Sequence, residues 1–112
     1  MTSIVDMADL AHGGTSYEFE GHRHGNTGVS FIVVDAPPGG PKLHKHPYEE
    51  IFLVQEGRVT FTAGDEVIEA GGGQVVVVPA GVAHRFVNSG AGRLRQVDIH
   101  ASDRFITEWL EE

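Results

Sequence analysis

The chain has 112 residues, with eight basic side chains against sixteen acidic ones for a formal charge of −8, no cysteine and fifteen glycines. That length suits one domain with a single hydrophobic core. The charge balance excludes neutralising a nucleic-acid backbone, and the lack of cysteine excludes disulfides, thiolate catalysis and any Cys-ligated zinc or iron–sulfur site. Met1 to Leu10 carries Asp6 and Asp9 and no long apolar run, so no secretory signal is expected. No stretch approaches the ~18 apolar residues of a membrane span. The expectation is a cytoplasmic protein with neither a membrane nor a nucleic-acid partner, loosest over residues 1–12.

In chain order, the middle of the sequence has a period of two. Thr15 to Glu20 predicts a weak first strand, and the β-branched run Val29 to Val34 a stronger one, ended by three prolines and two glycines between Asp35 and Pro41. Glu50 to Gln55 predicts a strand that stops at Gly57, where a glycine permits a hairpin. Arg58 to Ala63 alternates polar and apolar residues, and Gly64-Asp65-Glu66 turns the chain back through Val67-Ile68. Gly71-Gly72-Gly73 precedes Gln74 to Val78, which ends at Pro79. Ala83 to Val87 and Arg93 to His100 supply two more strands. From Asp103 onward, Phe105, Ile106, Trp109 and Leu110 make one helical stripe, with Ser102 or Asp103 as N-cap and Glu108, Glu111 and Glu112 at the unfavourable end of the dipole. Two turns of helix do not hold alone in water, so this stripe must dock on the domain or on a second copy. Seven to nine short strands with regular turn signals and no alternating helices predict an all-β sandwich or barrel.

The chemistry lies in His44-Lys45-His46-Pro47-Tyr48-Glu49-Glu50. Residues two apart in an extended chain share a face, so His44, His46 and Glu50 are able to converge, and His84 is a fourth candidate. Imidazoles with a carboxylate and no thiolate suit iron, manganese, nickel, cobalt, copper or zinc, and argue against calcium or magnesium. His22-Arg23-His24 lies among glycines and reads as a solvated loop; His12 and His100 read as structural.

The wider spacing is more specific. From His44 the chain reads His-x-His, three residues, Glu50, six residues, Gly57; from Gly73 it reads five residues, Pro79-x-Gly81, two residues, His84, three residues, Asn88. This pattern resembles the two motifs of the cupin superfamily, at about 39–57 and 73–88, within a single domain over 1–112. Pro38 stands where the family pattern has a glycine, with Gly39 and Gly40 beside it, a departure that touches loop geometry and not the metal site. The resemblance implies a double-stranded β-helix or jelly-roll barrel, here with a short C-terminal helix, and the metal ligands His44, His46, Glu50 and His84. Six-coordinate metal then keeps two open positions, which favours catalysis.

Parity and strand burial nominate Phe52, Val54, Val76, Val78 and Phe86 as pocket wall, with Gln96 and Asp98 as partners behind it, Lys42 near the mouth, and Asn88 satisfying backbone groups. The expected function is a small-molecule enzyme of dioxygenase, isomerase, decarboxylase or cyclase type; the alternative is a non-catalytic small-molecule-binding module. A homodimer with the C-terminal stripe at or near the contact is expected.

Overall fold

The computed structural model describes residues 2–14 and 16–111. One 3₁₀ turn, Met7–Asp9, precedes eleven strands among the described residues: β1 (Ala11–His12), β2 (Ser16–Phe19), β3 (Ser30–Ala36), β4 (His44–Lys45), β5 (Glu50–Glu56), β6 (Arg58–Ala63), β7 (Glu66–Gly71), β8 (Val75–Val78), β9 (His84–Asn88), β10 (Leu94–His100) and β11 (Glu108–Trp109). Eight of these answer to the predicted runs; β1, β4 and β11 are two-residue strands, β1 pairing with the adjacent β2 and the other two with partners distant in sequence. Thr15, the first residue of the predicted opening strand, lies outside the described residues.

All pairings are antiparallel. Six strands form one sheet in the order β1-β2-β3-β10-β5-β8, and five form the other in the order β11-β4-β9-β6-β7. The result is an all-β jelly roll whose core lies between the sheets. Phe52, Val54, Val76 and Val78 point inward from the first sheet, and meet Val59, Phe61, Ala70 and Phe86 from the second. Strict alternation in β5 and β8 produces this, because every second residue turns to the same side. Among the described residues no helix is long and apolar enough to cross a membrane.

Two sequence expectations change. Gly57 does not close a hairpin: β5 and β6 belong to different sheets, and at φ +93° this glycine turns the chain from one to the other. A Cβ there would come within 2.4 Å of the Arg93 carbonyl oxygen, so the corner needs glycine for space as well as for conformation. The C-terminal helix is also absent, and the chain runs extended into β11. A helix would join the Ile106 carbonyl to the Leu110 N–H, four residues on. Here the Ile106 carbonyl accepts from His46 Nδ1 at 2.8 Å, and the Leu110 N–H donates to the Leu43 carbonyl at 2.9 Å. The open edge of β4 takes the segment as a strand, and Glu111 Oε1 accepts the Leu43 N–H at 2.8 Å. Of the proposed dipole-end acids, Glu112 lies outside the described residues.

Candidate metal centre

His44, on β4, is the Cα partner of His84 on β9, so the register alone sets two imidazoles side by side. His46 follows on the same face, and Glu50 opens β5 with its side chain turned inward. Gly81 N–H donates to the His46 carbonyl at 2.8 Å, which ties the Pro79–Gly81 turn to the first motif and brings His84 opposite it. One ligand atom from each of His44, His46, Glu50 and His84 lies within 4.8 Å of every other, and all four residues are buried.

The three imidazoles are oriented from behind. His44 Nδ1 donates to the Lys42 carbonyl at 2.7 Å, His84 Nδ1 to the Val82 carbonyl at 2.9 Å, and His46 Nδ1 to the Ile106 carbonyl. Each backbone acceptor fixes the proton on Nδ1 and leaves the Nε2 lone pair free, the arrangement by which metal-binding histidines are held. His46 Nε2 is buried without a hydrogen-bond partner. It stands 3.1 Å from Glu50 Oε1, and His84 Nε2 stands 3.0 Å from the same oxygen. Lone pairs converging on one carboxylate oxygen, with one buried nitrogen unpaired, fit a divalent transition metal among them.

Electrostatics agree with that ligand set. Burial works against the charge of Glu50, but the imidazoles of His100, His46 and His84 gathered round it outweigh that and hold the carboxyl well below the usual range. Burial also keeps His44 below the ordinary imidazole value. For His84 the burial effect is overcome by Glu50, which raises it. An ionised Glu50 carboxylate and a His44 imidazole that loses its proton readily both suit metal binding.

His100 joins the site unannounced. It is buried, its Nε2 is 3.1 Å from Glu50 Oε2, and its Nδ1 is 2.6 Å from the Tyr48 hydroxyl. Burial pushes the Tyr48 phenol up to about 12, so it stays a donor. Tyr48 also stacks on the His46 ring, with centroids 5.0 Å apart and planes 7° from parallel. The sequence signal was available: Gln96, Asp98 and His100 share inward parity on β10. What the sequence lacked was the pairing of His100 with Glu50 across the sheet.

His44, His46, Glu50 and His100 line a cavity of about 510 Å³. Of the nominated wall residues, Phe52 and Phe86 line it together with Asp98. Val54, Val76 and Val78 do not, nor does Gln96, the partner expected behind them; all four are buried elsewhere between the sheets. Lys42 is exposed and outside the lining. Trp109 closes one side, its ring 5.0 Å from that of His44. Asn88 satisfies backbone groups at the end of β9, donating to the carbonyls of Ala36 and Gly92 and accepting from Gly90. Beside it Gly40 lies so close to the Phe86 carbonyl that a Cβ would overlap it. His22 contacts Glu20 Oε2 at 3.5 Å and His24 packs near Phe19, both away from this cavity.

Comparison with known proteins follows from this geometry. A family model described as the Cupin domain matches residues 31–100. An uncharacterised protein of Streptomyces coelicolor is 40% identical over 65 residues, which is 57% of this chain and 60% of that protein. The HTH-type transcriptional regulator PuuR of Escherichia coli is 27% identical over 103 residues, 89% of this chain and 55% of the regulator. The chain thus spans little more than half the length of these curated relatives. Among solved structures, the formate complex of Lactobacillus farciminis oxalate decarboxylase superposes with a TM-score of 0.82 at 20% identity, covering 93% of this chain and 34% of that one. An oxalate oxidase gives 0.78 at 21% identity over 96% and 63% of the two chains. Bacillus subtilis oxalate decarboxylase, studied for its Mn(II) centres, gives 0.79 at 22% over 91% and 29%. At these identities the likeness is one of fold.

Proposed function

The chain belongs to the cupin domain family, and from that premise we propose that it is a metal-dependent enzyme acting on a small organic molecule. His44, His46, Glu50 and His84 hold one divalent transition metal. The observation that carries the reading is the convergence of three Nε2 lone pairs, each imidazole pinned from behind by a backbone carbonyl, with one carboxylate, His44, His46 and Glu50 lining a cavity of about 510 Å³. Such a metal supplies Lewis acidity at its open positions. The protein's own share is orientation, through the carbonyls of Lys42, Ile106 and Val82, and exclusion of water by Phe52, Phe86 and Trp109. Dioxygenase, isomerase, decarboxylase and cyclase chemistry all suit this arrangement. Manganese is the first ion to try, since the Bacillus subtilis decarboxylase that shares the fold has Mn(II) centres.

The test is elemental analysis of protein purified without a metal-affinity tag, followed by screens for oxygen consumption and product formation. One ion per chain and turnover support the reading; no bound ion overturns it. A second reading is a non-catalytic binding module, favoured by the likeness to a transcriptional regulator over 89% of the chain. Ligand binding without turnover would select it.

We also propose a two-fold homodimer. The outer face of the six-stranded sheet carries two apolar rows, one through Val33, Val97, Leu53 and Val75, the other through Phe31, Ile99, Ile51 and Val77. Val75 and Val77 are 57% and 59% exposed, and the next row, with Asp35, Arg95 and Glu56, is charged. An apolar centre with a charged rim has the anatomy of an interface. The C-terminal segment is already paired with β4 of its own chain, so the sheet face is the better surface.

A further inference from the structure

The inward face of β10 carries three polar side chains in succession, Gln96, Asp98 and His100, all buried. His100 belongs to the Glu50 network, but Asp98 has no part in it. The Cα partners of Asp98 are Ile32 on one side and Phe52 on the other, so its carboxyl stands between two apolar side chains that line the cavity with it. Among the described residues it receives one hydrogen bond, from Gln96 Nε2 to Oδ1 at 2.9 Å. Gln96 in turn leaves its own Oε1 buried and unpaired. Such a half-satisfied pair costs stability that an apolar residue at either position would not. Nothing in the packing asks for a carboxyl here.

A buried carboxylate keeps its charge only with a cation or several donors around it. The cavity lining holds no lysine and no arginine among the described residues. Burial first, and the charge of Glu50 next, push the Asp98 carboxyl well above its usual range, and the Gln96 hydrogen bond offsets this only in part. Burial with no cation beside it thus favours the protonated, neutral form of Asp98. Among the described residues the Gln96 amide is its one polar partner, so a proton on this carboxyl is available to a ligand that enters the cavity.

Charge narrows the ligand further. Three neutral imidazoles and the Glu50 carboxylate leave a divalent ion with one net positive charge, which a monoanion cancels. A dianion would bring a second negative charge into a space whose described lining holds no lysine or arginine to balance it. Ile32, Val34 and Phe86 offer an apolar wall to whatever the ligand carries beyond its oxygens. We infer that the cavity selects a singly charged oxygen chelator with an apolar body, to which Asp98 donates a hydrogen bond, in preference to a small dicarboxylate. The inference rests on the metal-site reading above.

The experiment uses protein loaded with Co(II), whose content is measured before any ligand is added. Titration calorimetry then compares 3-methyl-2-oxobutanoate, a branched monoanion, with oxalate. The expected result is that the wild type binds the 2-oxo acid at least about tenfold more tightly than oxalate. Asp98→Asn, which keeps a donor, should stay within about threefold of wild type. Asp98→Leu, and Asp98→Ala should the larger side chain disturb folding, should lose about tenfold for the 2-oxo acid at unchanged Co(II) content. Equal or tighter binding of oxalate by the wild type, undiminished binding by Asp98→Ala, or an Asn variant as weak as Ala would each overturn the inference and leave the metal reading standing. Less than one Co(II) per wild-type chain would overturn the metal reading and this inference with it.

Discussion

His46 and Ile106, sixty positions apart, are joined by a 2.8 Å hydrogen bond from the imidazole Nδ1 to the backbone carbonyl. A ligand in the first motif is thus oriented by the last few residues of the described chain. Loss of an outer hydrogen bond of this kind costs metal affinity, typically ~10–100-fold. Leu110→Pro removes the N–H that pins this segment to Leu43 and should loosen the Ile106 carbonyl without touching the core. Its expected signature is metal affinity lowered by about tenfold, in competition with a chelator, and a circular dichroism spectrum like that of wild type. Unchanged affinity would separate the C-terminal strand from the site.

Replacing a ligand should do more than replacing its support. His46→Ala removes one of three imidazole donors and is expected to lower metal affinity beyond the ~10–100-fold range of outer contacts. His22→Ala and His24→Ala, whose rings lie near Glu20 and Phe19, should leave stoichiometry at the wild-type value. Dialysis followed by elemental analysis distinguishes the two groups.

Metal retention should fall in acid. Protons compete for the three Nε2 lone pairs, so release is expected as pH drops through the imidazole range near ~6.5 and is complete above the ordinary glutamate range of ~4.3. Glu50 is held below that range by its imidazole partners and so stays ionised through the transition. Occupancy measured by chelator-free equilibrium dialysis at successive pH values checks this, and occupancy still constant at about pH 4 would point to other ligands.

The reach of the sequence ended where contacts became non-local. Parity placed His44, His46 and Glu50 on one side because a strand has period two whatever its neighbours are. His100 obeys the same parity, yet nothing local tells a buried structural histidine from one that meets Glu50 across two strands. The stripe of Phe105, Ile106, Trp109 and Leu110 has helical spacing, and a segment so short takes the structure its neighbours offer. The edge of β4 and the Nδ1 of His46 offered partners for the backbone groups of Ile106 and Leu110, and a strand resulted. Parity also points to Val54, Val76 and Val78 as pocket wall, but it fixes the face of a strand and not the position along the sheets.

Asp98 gives a stability test with a definite sign. Burial holds its carboxyl well above the usual aspartate range in the fold, while the unfolded chain ionises in that range. The folded state binds the extra proton, so the stability this contributes is full below ~3.9 and is lost as pH rises through the folded value. Asparagine has no proton to lose. Asp98→Asn should therefore match the wild type near pH 4 and exceed it increasingly toward pH 8, by about 4 °C in Tm for each kcal/mol gained. Thermal melts of metal-free protein at the two pH values decide it, and a gap that widens toward acid would contradict the assignment.

The dimer is tested on the sheet face itself. Val97 lies in the middle of one apolar row, flanked in register by Val33 and Leu53. In a two-fold interface each position meets its symmetry mate or a close neighbour of it, so one substitution enters twice. Val97→Lys would bury two ammonium groups close to one another in an apolar centre, a cost of several kcal/mol. Leu53→Glu does the same with the opposite charge. Sedimentation equilibrium at micromolar concentration should give the wild type twice the 12.1 kDa of one chain, and either variant the mass of one chain. Trp109→Ala should leave the dimer intact, because Trp109 sits beside His44 on β11, at the edge of the other sheet. A monomeric wild type would remove the second copy from the proposal, and a dimer broken by Trp109→Ala but not by Val97→Lys would move the interface to the C-terminal strand.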